Sequence, residues 1–229
     1  VENRNNEIKF CYQESQLGTG HAVMQAKDNI DDDDLVLVIN GDQPLISSKT
    51  IKSMISFCEQ GNYGGVVLSG IVDHPGSLGR VIRDGKGNLN RIVERKDCNE
   101  DEERVKEVNI GVYCFNGKLL KESFSKLDDN NAQNEYYITD IPVHIKNAGY
   151  NFGVCTIADM SEFQGINSRE ELSLATCTLL NKTRKLHMSN GVTLIDPSST
   201  YISIDAKIGR DTIIYPGTNI QGETVIGDN

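Results

Sequence analysis

No stretch of the chain approaches the roughly 18 consecutive apolar residues of a membrane-spanning helix, so no membrane insertion is expected. Residues Val1 to Phe10 have neither the charged start nor the apolar core of a secretory signal, which points to the cytoplasm. Basic residues are in short supply: 23 Lys and Arg stand against 33 Asp and Glu, a formal charge of −10. General nucleic-acid binding rests on basic contacts to phosphate, so no nucleic-acid partner is expected, while a single nucleotide stays open as a ligand. The six cysteines, at positions 11, 58, 98, 114, 155 and 177, contain no C-x-x-C pair and no neighbouring histidine cluster. They read as reduced thiols, several of them in the core, and not as a zinc site or disulfide framework. A convincing His/Asp dyad for base catalysis is also lacking. At 229 residues the chain is long enough for one or two domains with a sizeable core.

What is present centres on the run Leu35-Val36-Leu37-Val38-Ile39-Asn40-Gly41-Asp42-Gln43-Pro44-Leu45. Five apolar residues without polar alternation predict a strand buried on both faces, as in parallel α/β sheets. The chain then leaves the sheet with an acid at its carboxyl edge, where open α/β sheets bind ligands. Asp42 is a hard oxygen ligand suited to Mg²⁺, which takes one or two carboxylates and completes its shell with waters and phosphate oxygens. The same aspartate could instead cap the following helix.

Around this run, residues 8–12 read as a short strand, and Gly18-Thr19-Gly20 lead into a helical segment ending near Asn29. Two glycines allow close approach to a ligand, but a glycine-rich turn capping a helix uses the same letters. His21 fits a loop-locking hydrogen bond better than a phosphate donor, and Asp31 to Asp34 fit a solvated loop. A helix is predicted from Ser48 to Gln60, capped by Ser47 or Ser48, then a strand over 65–72. A hairpin follows, with its turn at Asp84-Gly85-Lys86-Gly87 and its return over 89–94, bringing Gly79-Arg80 and Glu94 to one end of a ribbon. Glu94 could pair with Arg80 or accept from a sugar hydroxyl. Lys96 to Glu107 reads as solvated. A strand over 108–115, a helix over 117–127, a helix ending near Gly149, a last strand over 151–158 and a long helix to Ser189 complete this part. Tyr136, Tyr137, Thr139 and Asp140 suit either a sugar site or core packing with a cap. Asn167 suits either a neutral oxygen ligand or an N-cap.

After Gly191 the period changes: Ile202, Ile208, Ile214, Ile220 and Ile226 recur every six residues, the pattern of a hexapeptide parallel β-helix. Taken in order, LGTGHA, GDQPL, GRVI, IVERKD, EVNIGVY, NNAQNEYYITD, GINSR and these hexapeptides resemble the bifunctional N-acetylglucosamine-1-phosphate uridylyltransferase and glucosamine-1-phosphate N-acetyltransferase family.

That resemblance implies a Rossmann-like α/β nucleotide-sugar transferase domain over 1–169, a helical linker over 170–190 and the start of a left-handed β-helix over 191–229. It implies Mg²⁺-dependent transfer of UMP from UTP to N-acetylglucosamine-1-phosphate, with acetyl-CoA serving a later domain and a homotrimeric parent protein. Carried over by position, Gln13, Gly18 and Thr19 contact uridine, and Asn40 and Gly41 line the nucleotide-sugar site. Gly79, Glu94, Asn109, Tyr137 and Thr139 face the sugar, and Asp42 and Asn167 hold Mg²⁺. The family's glycine-rich phosphate loop, of the form LAAGxGTRM, and its lysine do not occur here, so they are expected ahead of Val1, and further β-helix coils beyond Asn229. Two alternatives remain at this point: a relative using glucose-1-phosphate, and a non-catalytic protein whose hexapeptides serve assembly.

Overall fold

The computed structural model describes residues 8–157 and 159–229. Most of the Val1 to Phe10 segment, and Ala158 at the end of the expected last strand, lie outside the described residues. The chain divides into two compact units: one is Val1–Gly41 with Ile46–Phe163, the other Asp42–Leu45 with Gln164–Asn229.

In the first unit the chain runs α1 (Thr19–Met24), β1 (Leu35–Val38), α2 (Ser48–Gln60), β2 (Gly65–Ile71), β3 (Arg80–Arg83) and β4 (Leu89–Val93). It continues through α3 (Glu100–Glu103), β5 (Glu107–Asn116), α4 (Gly117–Phe124), α5 (Ile141–Asn147) and β6 (Phe152–Thr156). The sheet is mixed, in the order β4-β3-β5-β2-β6, with β1 also on β5. β5 is long enough to share one side, taking β3 at Val108 and β1 at Tyr113–Asn116. Among the described residues, only the β2/β6 pair is parallel within this sheet.

Alternation along the central strands sends side chains to two apolar layers. Val67, Tyr113, Phe115 and Phe152 pack with Leu120 and Phe124 of α4 and Ile141 and Ile145 of α5. Val66, Leu68, Val112 and Cys114 pack on the other face with Met54 and Cys58 of α2. Fully burying side chains of this size contributes about 1.5–3 kcal/mol each before chain entropy is set against it. α2 begins where Ser47 Oγ accepts from Thr50 N–H at 3.1 Å, as predicted for a serine cap. All six cysteines are free, with Cys58 and Cys114 buried.

Three local expectations change. β1 is not buried on both faces: Leu35 and Ile39 are exposed, and the strand pairs antiparallel with β5. An unbroken apolar run also suits a strand paired on one side, and only the fold tells the two apart. Residues 8–12 form no strand, and Ile8, Phe10 and Tyr12 are exposed. A strand needs a hydrogen-bonded neighbour, and none of the described residues pairs with this segment. The 96–107 segment is only partly solvated, because Glu102 is buried in the capping box of α3 and bonded to Arg91.

In the second unit, α6 (Arg169–Ser189) is followed by six two-residue strands: β7 (Thr193–Leu194), β8 (Tyr201–Ile202), β9 (Lys207–Ile208), β10 (Ile213–Ile214), β11 (Asn219–Ile220) and β12 (Val225–Ile226). β10, β11 and β12 lie parallel on β7, β8 and β9 respectively. Each later strand stacks on the one three strands earlier, three hexapeptides away for β11 and β12 and two residues further for β10, the arrangement of a three-sided coil. Leu194, Ile202, Ile214 and Ile220 fill its interior, with Ile208 and Ile226 packed against them.

Candidate functional site

Within the first unit, the nucleotide-side and sugar-side candidates are joined by one backbone zipper. Gly20 N–H donates to Tyr136 O at 2.8 Å, and Tyr136 N–H donates to Leu17 O at 2.8 Å. Ile138 N–H donates to the Thr19 hydroxyl at 3.2 Å. This close approach explains Gly18: its φ is +110°, and a Cβ there would lie 2.6 Å from Tyr136 O. Gln13 Nε2 donates to Gly18 O at 3.2 Å and lies 2.9 Å from His21 Nδ1. His21 is thus a loop-locking residue. The helix from Gly18 is shorter than predicted, closing at Met24, with a 3₁₀ turn at Lys27–Asn29. Asn40 and Gly41 follow β1 and are exposed.

Among the residues expected to face a sugar, Gly79 O accepts from Asn109 N–H at 2.9 Å. A Cβ on Gly79 would lie 3.4 Å from Glu94 Oε2, so the strand ends carrying Gly79, Glu94 and Asn109 do converge. Asn109 sits at a bulge. Its Oδ1 accepts from Gly111 N–H at 2.9 Å, and its Nδ2 donates to the buried Tyr113 hydroxyl at 2.8 Å. One amide proton of Asn109 and one lone pair remain for a ligand. Arg80 is buried but does not pair with Glu94: its guanidinium donates to the carbonyls of Leu78 and Gly76.

Glu94, Tyr137 and Thr139 line a common cleft of ≈ 380 Å³. Burial pushes the Glu94 carboxyl above the usual carboxylate range, opposed by a hydrogen bond from Thr139. Asp140, on the same cleft, is raised to about 6 by burial and by Asp128 and Asp97. Tyr137 is raised to about 12, chiefly by burial. Asp97, Asp128 and His144 also line this cleft, and sequence reasoning missed them as site residues. Asp97 and Asp140 lie inside the motifs IVERKD and NEYYITD, so that much was available. Asp128 and His144 carry no such signal.

The second unit brings together Asp42 and Asn167, 125 positions apart in sequence. Ile166 N–H donates to Asp42 O at 2.9 Å. A Cβ placed on the intervening Gly165 would lie 3.3 Å from Asp42 Oδ2 and 3.7 Å from Asn167 Nδ2, so both groups face the same small space. Neither residue is a helix cap. Ser47 caps α2 and Ser168 caps α6, which removes the structural roles that the sequence left open for both. One carboxylate, one neutral amide and a side-chain-free gap between them suit Mg²⁺, which retains waters and phosphate oxygens. Among the described residues no group of three or more His, Cys, Asp or Glu is arranged to hold a metal, so a closed zinc-type site does not arise from them.

A sheet flanked on both faces by helices, with polar residues gathered at strand ends around a cleft, defines an α/β ligand-handling domain of the kind that enzymes use. The model of the nucleotidyl transferase family matches residues 2–159, and the chain belongs to that family. Family members generally use a divalent metal ion.

Among curated relatives, the Bifunctional protein GlmU of Clostridium kluyveri is 48% identical over 221 residues, 96% of this chain and 48% of that protein. The protein of the same name from Clostridioides difficile is 46% identical over 223 residues, covering 97% of this chain and 49% of that one. The chain spans about half the length of the curated relatives it matches. Two solved structures share the fold. A Bacillus anthracis protein assigned as a glucose-1-phosphate thymidylyltransferase, with sucrose bound, has a TM-score of 0.56 and 19% identity, over 72% of this chain and 62% of its own. A UDP-glucose pyrophosphorylase in complex with UDP-glucose has a TM-score of 0.54 and 18% identity, over 74% and 64%. Among the described residues no helix is long and apolar enough to cross a membrane.

Proposed function

We propose that this chain carries the Mg²⁺-dependent transfer of UMP from UTP to N-acetylglucosamine-1-phosphate. A phosphate oxygen of the sugar phosphate attacks the α-phosphorus of UTP. The new P–O bond forms as the bond to the β-phosphate oxygen breaks, giving UDP-N-acetylglucosamine and pyrophosphate. The nucleophile is already an anion at neutral pH, so no side chain has to remove a proton. Catalysis then rests on positioning and charge neutralisation.

In this reading Asp42 and Asn167 hold the Mg²⁺, which when bound neutralises phosphate charge. Gln13, Gly18 and Thr19 orient the uridine, and Asn40 and Gly41 line the nucleotide-sugar site. Gly79, Glu94, Asn109, Tyr137 and Thr139 orient the sugar. The hexapeptide coils would begin an acetyltransferase domain that uses acetyl-CoA, in a cytoplasmic homotrimer.

The observation that carries the reading is the shared space of Asp42 and Asn167 beside Gly165, with the capping work of both taken by neighbouring serines. Because Asp42 is exposed and caps nothing, Asp42→Ala should preserve the fold while lowering pyrophosphate release in the intact protein by orders of magnitude. Near-normal turnover of that variant would remove the metal assignment. A panel setting glucose-1-phosphate against N-acetylglucosamine-1-phosphate checks the sugar.

A further inference from the structure

We infer that Glu171 is a positioning residue for the metal-binding amide of Asn167, an inference that rests on the Asp42/Asn167 reading above. Its carboxylate Oε2 accepts the Asn167 backbone N–H at 2.6 Å. On the other side of the same short loop, Ile166 N–H is held by Asp42 O at 2.9 Å. The peptide segment that presents the Asn167 side chain is therefore pinned at two consecutive residues, once by Asp42 itself and once by Glu171. Among the described residues the Asn167 side-chain amide enters no hydrogen bond, so its position depends strongly on the backbone that carries it.

Ordinary helix capping accounts for the contacts of Glu171 to Ser168 but does not require the one to Asn167. In a capping box the glutamate at the third helical position takes the N–H of the cap residue. That regular form occurs in α3, where Glu102 Oε2 accepts from Asn99 N–H at 3.0 Å and Asn99 Oδ1 accepts from Glu102 N–H at 2.9 Å. In α6 the spacing is the same, and Ser168 Oγ accepts from Glu171 N–H at 3.1 Å. Here the glutamate takes, besides its contacts to the cap residue Ser168, the N–H of the residue before it, Asn167. The residue restrained is the proposed ligand. Outer partners that orient a ligand are part of how a metal site reaches its affinity.

Titration of the whole ¹⁵N-labelled chain with Mn²⁺, followed by paramagnetic broadening of the Gly165 and Asn167 amide signals, tests this without turnover. Glu171→Ala should weaken Mn²⁺ binding about tenfold or more. Glu171→Gln, whose amide oxygen can accept the same N–H, should stay within about threefold of the native chain. Native Mn²⁺ affinity in Glu171→Ala, with only a lowered melting temperature, would reduce Glu171 to a helix-end residue and overturn the inference. Equal losses in Glu171→Ala and Glu171→Gln would overturn it too, since charge and not the hydrogen bond would then matter. If Asp42→Ala leaves the broadening unchanged, the metal reading itself fails and the inference falls with it. A loss in Asp42→Ala without one in Glu171→Ala refutes Glu171 alone.

Discussion

Gly165→Ala is the sharpest probe of the proposed metal site, because it adds one methyl group at the point where the two candidate ligands converge. The backbone there is outside the left-handed region, so alanine is accepted without strain. The methyl would lie 3.3 Å from Asp42 Oδ2, closer than most real contacts of its kind, and 3.7 Å from Asn167 Nδ2. Asp42 must therefore give way by a few tenths of an ångström, and the space between the ligands is reduced. Mg²⁺ requires near-ideal octahedral bonds of about 2.0–2.1 Å, so displacement on that scale matters.

We expect the Mg²⁺ concentration for half-maximal uridylyl transfer to rise about 10- to 100-fold, a loss of about 1.4–2.7 kcal/mol. Folding stability should hold or rise by about 0.4–1 kcal/mol, because alanine restricts the unfolded chain more than glycine does. The assay is pyrophosphate release by the intact protein across a Mg²⁺ series, beside a thermal melt. An unchanged Mg²⁺ dependence in a well-folded Gly165→Ala protein would refute the geometry, since no ion could then sit between Asp42 and Asn167.

Asp140 provides a pH test. Its carboxyl is held up at about 6, so between about pH 4 and pH 6 the folded chain keeps a proton that the unfolded chain has lost. The stability contributed by this group therefore falls as pH rises through that window and is lowest above it. Asp140→Asn should raise the melting temperature at pH 7.5 and leave it nearly unchanged at pH 4. With solvent screening of the partly open cleft allowed for, the gain should be about 1 kcal/mol or less. Equal effects at the two pH values would contradict the assignment. In the coil, Ile202 is 1% exposed, so Ile202→Ala should cost about 2–5 kcal/mol, read by denaturant unfolding, whereas outward-facing Ile213→Ala should cost far less.

Local patterns settled much of this protein before any coordinates. The six-residue recurrence of isoleucine determined the coil, because β11 and β12 stack on strands three hexapeptides earlier and the interior position repeats with them. The apolar stretches over 65–72 and 108–115 and the 3.6-residue spacing in 48–60 likewise determined their elements, observed at Gly65–Ile71, Glu107–Asn116 and Ser48–Gln60, since period decides which face can be buried. The ordered motifs pointed to the candidate residues.

Only the tertiary structure decided which of those residues stand together. The same five apolar letters describe a strand buried on both faces or one exposed at its ends, and the pairing of β1 with β5 alone distinguishes them. Asp42 and Asn167 each left a ligand and a cap open, and the structure gives the capping positions to Ser47 and Ser168. No periodicity joins residues 125 positions apart, because their meeting depends on how the whole intervening chain folds. The cleft shared by Glu94, Asp97, Asp128 and Asp140 is of the same kind: burial and mutual repulsion, which raise the carboxyls of Glu94 and Asp140, exist only once the folded chain has gathered them.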